Sequence, residues 1–250
     1  MSTPFRLLIL GGTTEAFALA NALATDETIV TISSLAGRVS NPILPQGEVR
    51  IGGFGGVQGL ETYLCEQRVS AVLDATHPYA ITISAHAATV CTQLGVPRIS
   101  LVRPAWRPDP ADRWHDVADM SEAAERAASI GGRIFVTVGR QELLPFSRYA
   151  DPWFLIRTIE EPTCPLPPRH ELLLRRGPFS LAAELELLRD RRIDVIVTKN
   201  SGGSATYAKI QAARTLSIPV VVVQRPPQPN AASIPSVGDA LTWIHAVRTC

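Results

Sequence analysis

Lysine is almost missing from this chain. Of its 24 basic residues 22 are arginine, and only Lys199 and Lys209 are lysine. Compositional bias accounts for part of this. Chemistry accounts for another part, because a guanidinium fork binds carboxylate or phosphate through two parallel bonds. Cysteine is sparse too. Cys65, Cys91, Cys164 and Cys250 form no C-x-x-C pair, which argues for reduced thiols in a cytoplasmic protein. The five histidines are dispersed without an H-E-x-x-H pattern, so no metal site is expected and a metal-dependent hydrolase fits poorly. No apolar run is long enough to span a bilayer, and Met1–Arg6 lacks a signal-peptide pattern, so no membrane association is expected. A formal net charge of +1 gives no reason to expect nucleic acid as a partner. The Tyr-x-x-x-Lys pair of short-chain dehydrogenases is also absent. The residues four after Tyr63, Tyr79, Tyr149 and Tyr207 are Gln67, Ile83, Trp153 and Gln211.

What the chain does have is alternation. Apolar strand-like runs at Phe5–Leu10, Thr28–Ile32, Val49–Gly52, Val69–Asp74 and Arg98–Val102 are separated by helix-like stretches at Thr14–Ala24, Val57–Gln67 and Tyr79–Leu94. The second half continues with strands at Arg133–Val138, Trp153–Ile159, Asp194–Thr198 and Val220–Val223, and helices at Ser180–Asp190, Ala205–Leu216 and Val237–Val247. Near-continuous apolar strands between helices predict parallel sheets covered on both faces. The proline-rich stretch Arg103–Pro110 suggests a boundary. It gives an N-terminal Rossmann-like domain over 1–104 and a C-terminal one over 105–250, the last helix being free to pack back on the first domain. An ungapped shift of 122 residues sets Thr76 on Thr198, His77 on Lys199, Pro97 on Pro219, and Arg103-Pro104 on Arg225-Pro226. Two similarly built halves follow, with ligand loops at the carboxyl ends of both sheets.

Four stretches carry chemistry. Gly11-Gly12-Thr13-Thr14 lies between the first strand and the first helix, where free amides favour a phosphate; a plain N-cap turn is the alternative. The second strand ends in TISSLAGR with no acid. Ser33, Ser34 and Arg38 suit a 2′-phosphate there, so NADP is favoured over NAD if a dinucleotide binds. GGFGGVQGL, from Gly52, packs glycine around one aromatic and reads as a ligand-facing loop. In DATHPYA, Thr76 is a plausible helix cap, Pro78 suits the first turn, and His77 and Tyr79 could meet substrate; a capped helix with a satisfied histidine is the alternative. In TKNSGG, Lys199, Asn200, Ser201, Gly202 and Gly203 read as an anion site at the mouth of a helix, against an N-cap with a solvated lysine.

Taken in order, ILGGTTEA, AGRV, GGFGG with its following GL, DATHPYA, TKNSGG and IPVVVVQRP resemble the precorrin-6A reductase family of cobalamin biosynthesis. The resemblance implies an α/β protein of two Rossmann-like lobes with NADPH and a tetrapyrrole in the interdomain cleft. It implies hydride transfer that reduces one double bond of precorrin-6A to give precorrin-6B. A parallel branch acts on the cobalt-containing macrocycle with NADH or NADPH, and a non-enzymatic NADP-binding sensor is a further alternative. By the resemblance Gly11, Gly12, Thr13 and Thr14 hold the pyrophosphate, and Ser33, Ser34 and Arg38 the 2′-phosphate. Gly55, Gly56, Thr76 and His77 border the nicotinamide. Tyr79, Lys199, Asn200, Ser201 and Gly202 face the macrocycle, and Tyr79, Lys199 and His77 are the catalytic candidates. The partner implied is a polycarboxylate tetrapyrrole, for a monomer in transient contact with neighbouring pathway enzymes.

Overall fold

The computed structural model describes residues 4–228 and 232–249, so Cys250 and the start of the N-terminal segment read above lie outside the described residues. The chain divides into two units, 1–104 with 226–250, and 105–225. The first strands are β1 (Phe5–Leu10), β2 (Ile29–Leu35), β3 (Glu48–Ile51), β4 (Ala71–Asp74) and β5 (Arg98–Leu101). Between them run α1 (Thr14–Leu23), α2 (Val57–Glu66) and α3 (Ile81–Leu94). The second unit holds β6 (Trp114–Val117), α4 (Met120–Ile130), β7 (Arg133–Thr137), β8 (Trp153–Thr158), β9 (His170–Leu174), α5 (Leu181–Asp190), β10 (Val195–Lys199), α6 (Ala208–Thr215) and β11 (Val220–Val223). The chain then returns as β12 (Ser233–Ile234) and α7 (Val237–Arg248). Residues 226–250 therefore belong with the first unit: the last helix packs back on it, as the sequence allowed, and β12 and its lead-in join it, where the sequence had kept them with 105–250. The physical reason is that β12 pairs with β5 and the apolar face of α7, through Ala240 and Ile244, completes the first core.

All strand pairs are parallel. The first sheet has the order β3-β2-β1-β4-β5-β12 and the second β9-β8-β7-β10-β11-β6. Successive residues of a strand face opposite sides, so a sheet covered on both faces needs apolar residues at every position. Leu7 and Ile9 pack with α1 and α7, while Leu8 and Leu10 pack with α2 and α3. In the second unit Phe135, Leu155 and Ile196 pack with Ile210 and Leu188. The 122-residue echo falls on equivalent places, because β4-α3-β5 and β10-α6-β11 occupy the same positions in their sheets.

Beneath the second sheet's carboxyl edge lies a buried charged cluster. Arg157 on β8 grips Glu184 on α5 through both guanidinium nitrogens and is stacked between the rings of Phe135 and Phe179. Lys209 on α6 is 4 % exposed, donates to the Thr206 carbonyl at 3.1 Å, and lies 5.2 Å from the Trp106 ring centre. Burial, with the Arg157 charge adding, pushes its ammonium down to about 7, against the pull of Glu184. The unfolded chain keeps that proton up to its ordinary value of 10.5, so between pH 7 and 10.5 it binds more protons than the folded chain. Lys209 therefore destabilises the fold fully below pH 7, and the penalty fades as pH rises through that window. Lys209→Met is expected to raise the thermal midpoint near neutral pH and to flatten its rise with pH up to about 10, read by calorimetry on both proteins.

Candidate active site

In both sheets the chain reverses direction at one place, between β1 and β4 and between β7 and β10. Open parallel sheets bind ligands at such points, beyond the carboxyl ends of the strands. In the first unit Gly11 continues the ladder, its amide donating to the Ser34 carbonyl at 2.9 Å. Gly12 then turns with φ +102°, and a Cβ there would meet nothing within 4 Å. Thr13 caps α1, accepting the Ala16 amide at 3.1 Å, and donates its hydroxyl to the Ala75 carbonyl at 2.7 Å. That hydroxyl is thus a bridge across the crevice as well as a cap. The first turn of α1 still presents amides that have no intrahelical acceptor. Glu15 in the same turn would repel an anion, but Arg103 pairs with it at 2.7 Å.

The second strand places its serines differently from expectation. Both lie within β2, not at its tip, and both are buried. The Ser33 hydroxyl has no protein partner, and that of Ser34 accepts from Arg50 at 2.8 Å. Arg38 is exposed just past the strand. Arg50, which the sequence reading missed, also donates to the carbonyls of Gly52 and Gly53 and stacks 3.8 Å from the Phe54 ring centre. It pins the glycine-rich loop. Gly52, Gly55 and Gly56 have φ of 121°, 82° and 92°, and added Cβ atoms would meet nothing there. Gly59 is required for another reason: its Cβ would fall 1.7 Å from the Phe54 carbonyl oxygen. The loop follows the edge strand β3, so β2 and β1 stand between it and β4.

Thr76 does not cap α3, whose N-cap is Ala80. α3 begins at Ile81, and the Thr76 hydroxyl donates to Asp74 Oδ1 at 2.7 Å. Asp74 is buried and pairs with Arg98 at 2.9 Å, with Ser100 accepting from the same guanidinium nitrogen. The aspartate therefore shapes the turn and anchors it to β5. His77 Nδ1 faces the Tyr79 amide at 3.4 Å, and the two rings stand 5.5 Å apart, both half-buried at the end of β4. Gln228 donates to the Pro78 carbonyl at 2.7 Å and steadies this turn.

In the second unit Lys199 is an ion-pair member, not a solvated lysine. Its ammonium meets both Glu142 oxygens, at 3.0 and 2.8 Å, joining the loops after β10 and β7. Asn200 is buried, and its amide exchanges two hydrogen bonds with the Trp106 backbone, at 2.8 and 3.1 Å. It locks the start of the unit, which the sequence reading missed. Ser201 contacts the Lys199 carbonyl at 3.5 Å, Gly202 and Gly203 turn with φ of 69° and 72°, and α6 starts only at Ala208. The expected helix mouth is therefore not at TKNSGG. Arg225 holds this loop through the carbonyls of Asn200 and Ser201.

The family described as precorrin-6x reductase CbiJ/CobK matches residues 6–245. The chain belongs to this reductase family. It is 50 % identical to the precorrin-6A reductase of Rhodococcus erythropolis, over 96 % of this chain and 97 % of the relative. It is 51 % identical to that of Mycobacterium tuberculosis, with the same coverage. A solved structure named CobK precorrin-6A reductase superposes with a TM-score of 0.92 at 39 % identity, covering 97 % of each chain. The protein is thus an oxidoreductase, and membership of a reductase family implies a nicotinamide cofactor. The open Gly12 turn and the first turn of α1 are of the kind that accepts a dinucleotide. No helix among the described residues is long and apolar enough to cross a membrane.

Asp74 gives a test of structural against catalytic duty in this reductase. Removing one partner of a buried pair costs about 3–5 kcal/mol. Asp74→Ala is expected to lower unfolding free energy by that order, read from urea denaturation. A fully stable but inactive variant would instead assign Asp74 a part in the chemistry.

Proposed function

We propose that the protein is a cytoplasmic precorrin-6A reductase that uses NADPH to reduce one double bond of the macrocycle and yields precorrin-6B. The observation that carries the cofactor assignment is an asymmetry between the crevices. β1 leads through Gly11 and Gly12 straight into a ten-residue helix, whereas β7 leads into two 3₁₀ turns, Arg140–Glu142 and Leu144–Phe146. A helix N-terminus adds aligned dipoles to its free amides, and a three-residue turn does not. The first unit is therefore the nucleotide unit. Gly11, Gly12, Thr14 and the α1 amides would hold the pyrophosphate, with Thr13 setting the crevice width. Arg38 would take the 2′-phosphate, since Leu35 through Arg38 include no acid to repel it. Ser33 and Ser34 support the strand beneath. The Gly52–Gly56 loop stands beside β2, so we place Gly55 and Gly56 on the adenosine half and not by the nicotinamide.

When bound, the cofactor supplies a hydride, and the protein's task is to orient and shield. Thr76, His77 and Tyr79 stand at the end of β4, the side to which the reactive half of a dinucleotide extends across the switch point. Tyr79 or Lys199 is the source of a proton for the reduced macrocycle. Lys199, held by Glu142, and the TKNSGG loop stand on the macrocycle side of the second unit, at the carboxyl end of β10. The relatives named above carry the cobalt-free substrate in their names, which favours that macrocycle over its cobalt form.

NADPH absorbance, followed with and without precorrin-6A, tests the whole reading: oxidation is expected only with the macrocycle. Arg38→Glu is expected to weaken NADPH about tenfold or more, near 1.4 kcal/mol or above, while NADH changes little. Equal loss for both cofactors would remove the 2′-phosphate from Arg38.

A further inference from the structure

The described residues include eight large apolar side chains that are well exposed, and three of them sit at the carboxyl edge of the second sheet. Ile159 follows β8 and Leu174 ends β9, each 47 % exposed; Leu181 opens α5 at 38 %. The strands are parallel, so these positions share one edge. Thr158 pairs with Leu174, and the Arg175 amide donates to the Thr158 carbonyl, which sets Ile159 beside Arg175. Exposed apolar groups gathered on one edge mark a contact surface.

Charge says what kind of ligand fits. Arg175 and Arg176 are exposed immediately after Leu174. Nearby carboxylates are largely engaged, Glu160 with Arg140 at 2.8 Å and Glu142 with Lys199. Glu161 is exposed two residues past Ile159, so the acid-accepting side is that of Arg175 and Arg176. The loop carrying both arginines has a firm base, because Phe179 stacks 3.7 Å from the Arg157 guanidinium, which is itself held by Glu184.

Resting on the reductase reading above, we propose that Ile159, Leu174 and Leu181 form an apolar platform for one face of the macrocycle, with Arg175 and Arg176 holding its peripheral carboxylates. A tetrapyrrole has apolar ring faces and an anionic rim, which matches an apolar surface bordered by guanidinium forks. Arginine suits this place further, since its planar group engages carboxylates in pairs and stacks on conjugated rings.

The test uses the full chain, with precorrin-6A titrated by its own absorbance and turnover followed through NADPH. Leu174→Asp, Ile159→Ser and Arg175→Glu are each expected to raise the macrocycle Kd and KM, about tenfold for the charged changes, with kcat and NADPH affinity little altered. Arg169→Glu, a matched charge change just before β9 at the opposite edge, is expected to bind like wild type. Wild-type binding by all three platform variants overturns the platform and leaves the reductase reading standing. So does an equal loss in Arg169→Glu, which would mark a mere effect of net charge. A wild-type protein that leaves precorrin-6A unreduced sinks the reductase reading, and the platform with it.

Discussion

Thr13 donates its hydroxyl to the Ala75 carbonyl at 2.7 Å, and the geometry of the first crevice depends on that bridge. β1 and β4 are neighbours, yet the chain leaves them in opposite directions, through α1 toward β2 and through α3 toward β5. Beyond the Ala75 amide, which donates to the Leu10 carbonyl at 2.9 Å, the ladder no longer sets how far the two departing loops stand apart. One hydroxyl does so, and by also capping α1 it fixes where the helix amides point. The second sheet meets the same problem with charge, through Lys199 and Glu142. A partly exposed ion pair contributes at most about 1 kcal/mol. Its effect is therefore to set the spacing of the two loops more than to hold the unit together.

The fold was legible because parallel sheets write themselves in unbroken apolar runs, and both sheets do so at β1, β4, β7, β10 and β11. The elements that escaped are those where that signal is weak. β6 (WHDV) and β9 (HELLL) are edge strands with polar positions, and β12 has two residues. α4 is alanine-rich with little apolar content, though its start was written in Asp119 and Glu122. Asp119 accepts two first-turn amides, and Glu122 reaches back to the Ala118 amide.

The candidate site was legible only as loops, not as atoms. GGTT, DATHPYA and TKNSGG all lie at strand ends beside the switch points, as their place after apolar runs requires. Which side chains face outward was not readable, since that depends on long-range partners. Thr76 turns to Asp74, Asn200 to the Trp106 backbone 94 residues away, and Ser34 to Arg50. Each is a polar group in a strand or turn that would be costly to bury unpaired. A motif residue with a hydroxyl or amide is thus as readily explained by satisfying the turn as by touching a ligand.

The same argument reshapes the meaning of the arginine excess. Read from composition, many guanidiniums suggest many anchors for a polycarboxylate. In the structure Arg98, Arg103, Arg157, Arg191 and Arg214 pair with carboxylates of their own unit, and Arg50 and Arg225 clamp backbone carbonyls of loops. These are places where a planar fork with fixed donors outperforms a flexible ammonium. The excess is first a way of fixing loops and element ends within each unit. On the reading proposed above, anion binding falls to exposed arginines at the carboxyl edges, Arg38 beyond β2 for the nucleotide phosphate and Arg175 and Arg176 beyond β9 for ring carboxylates.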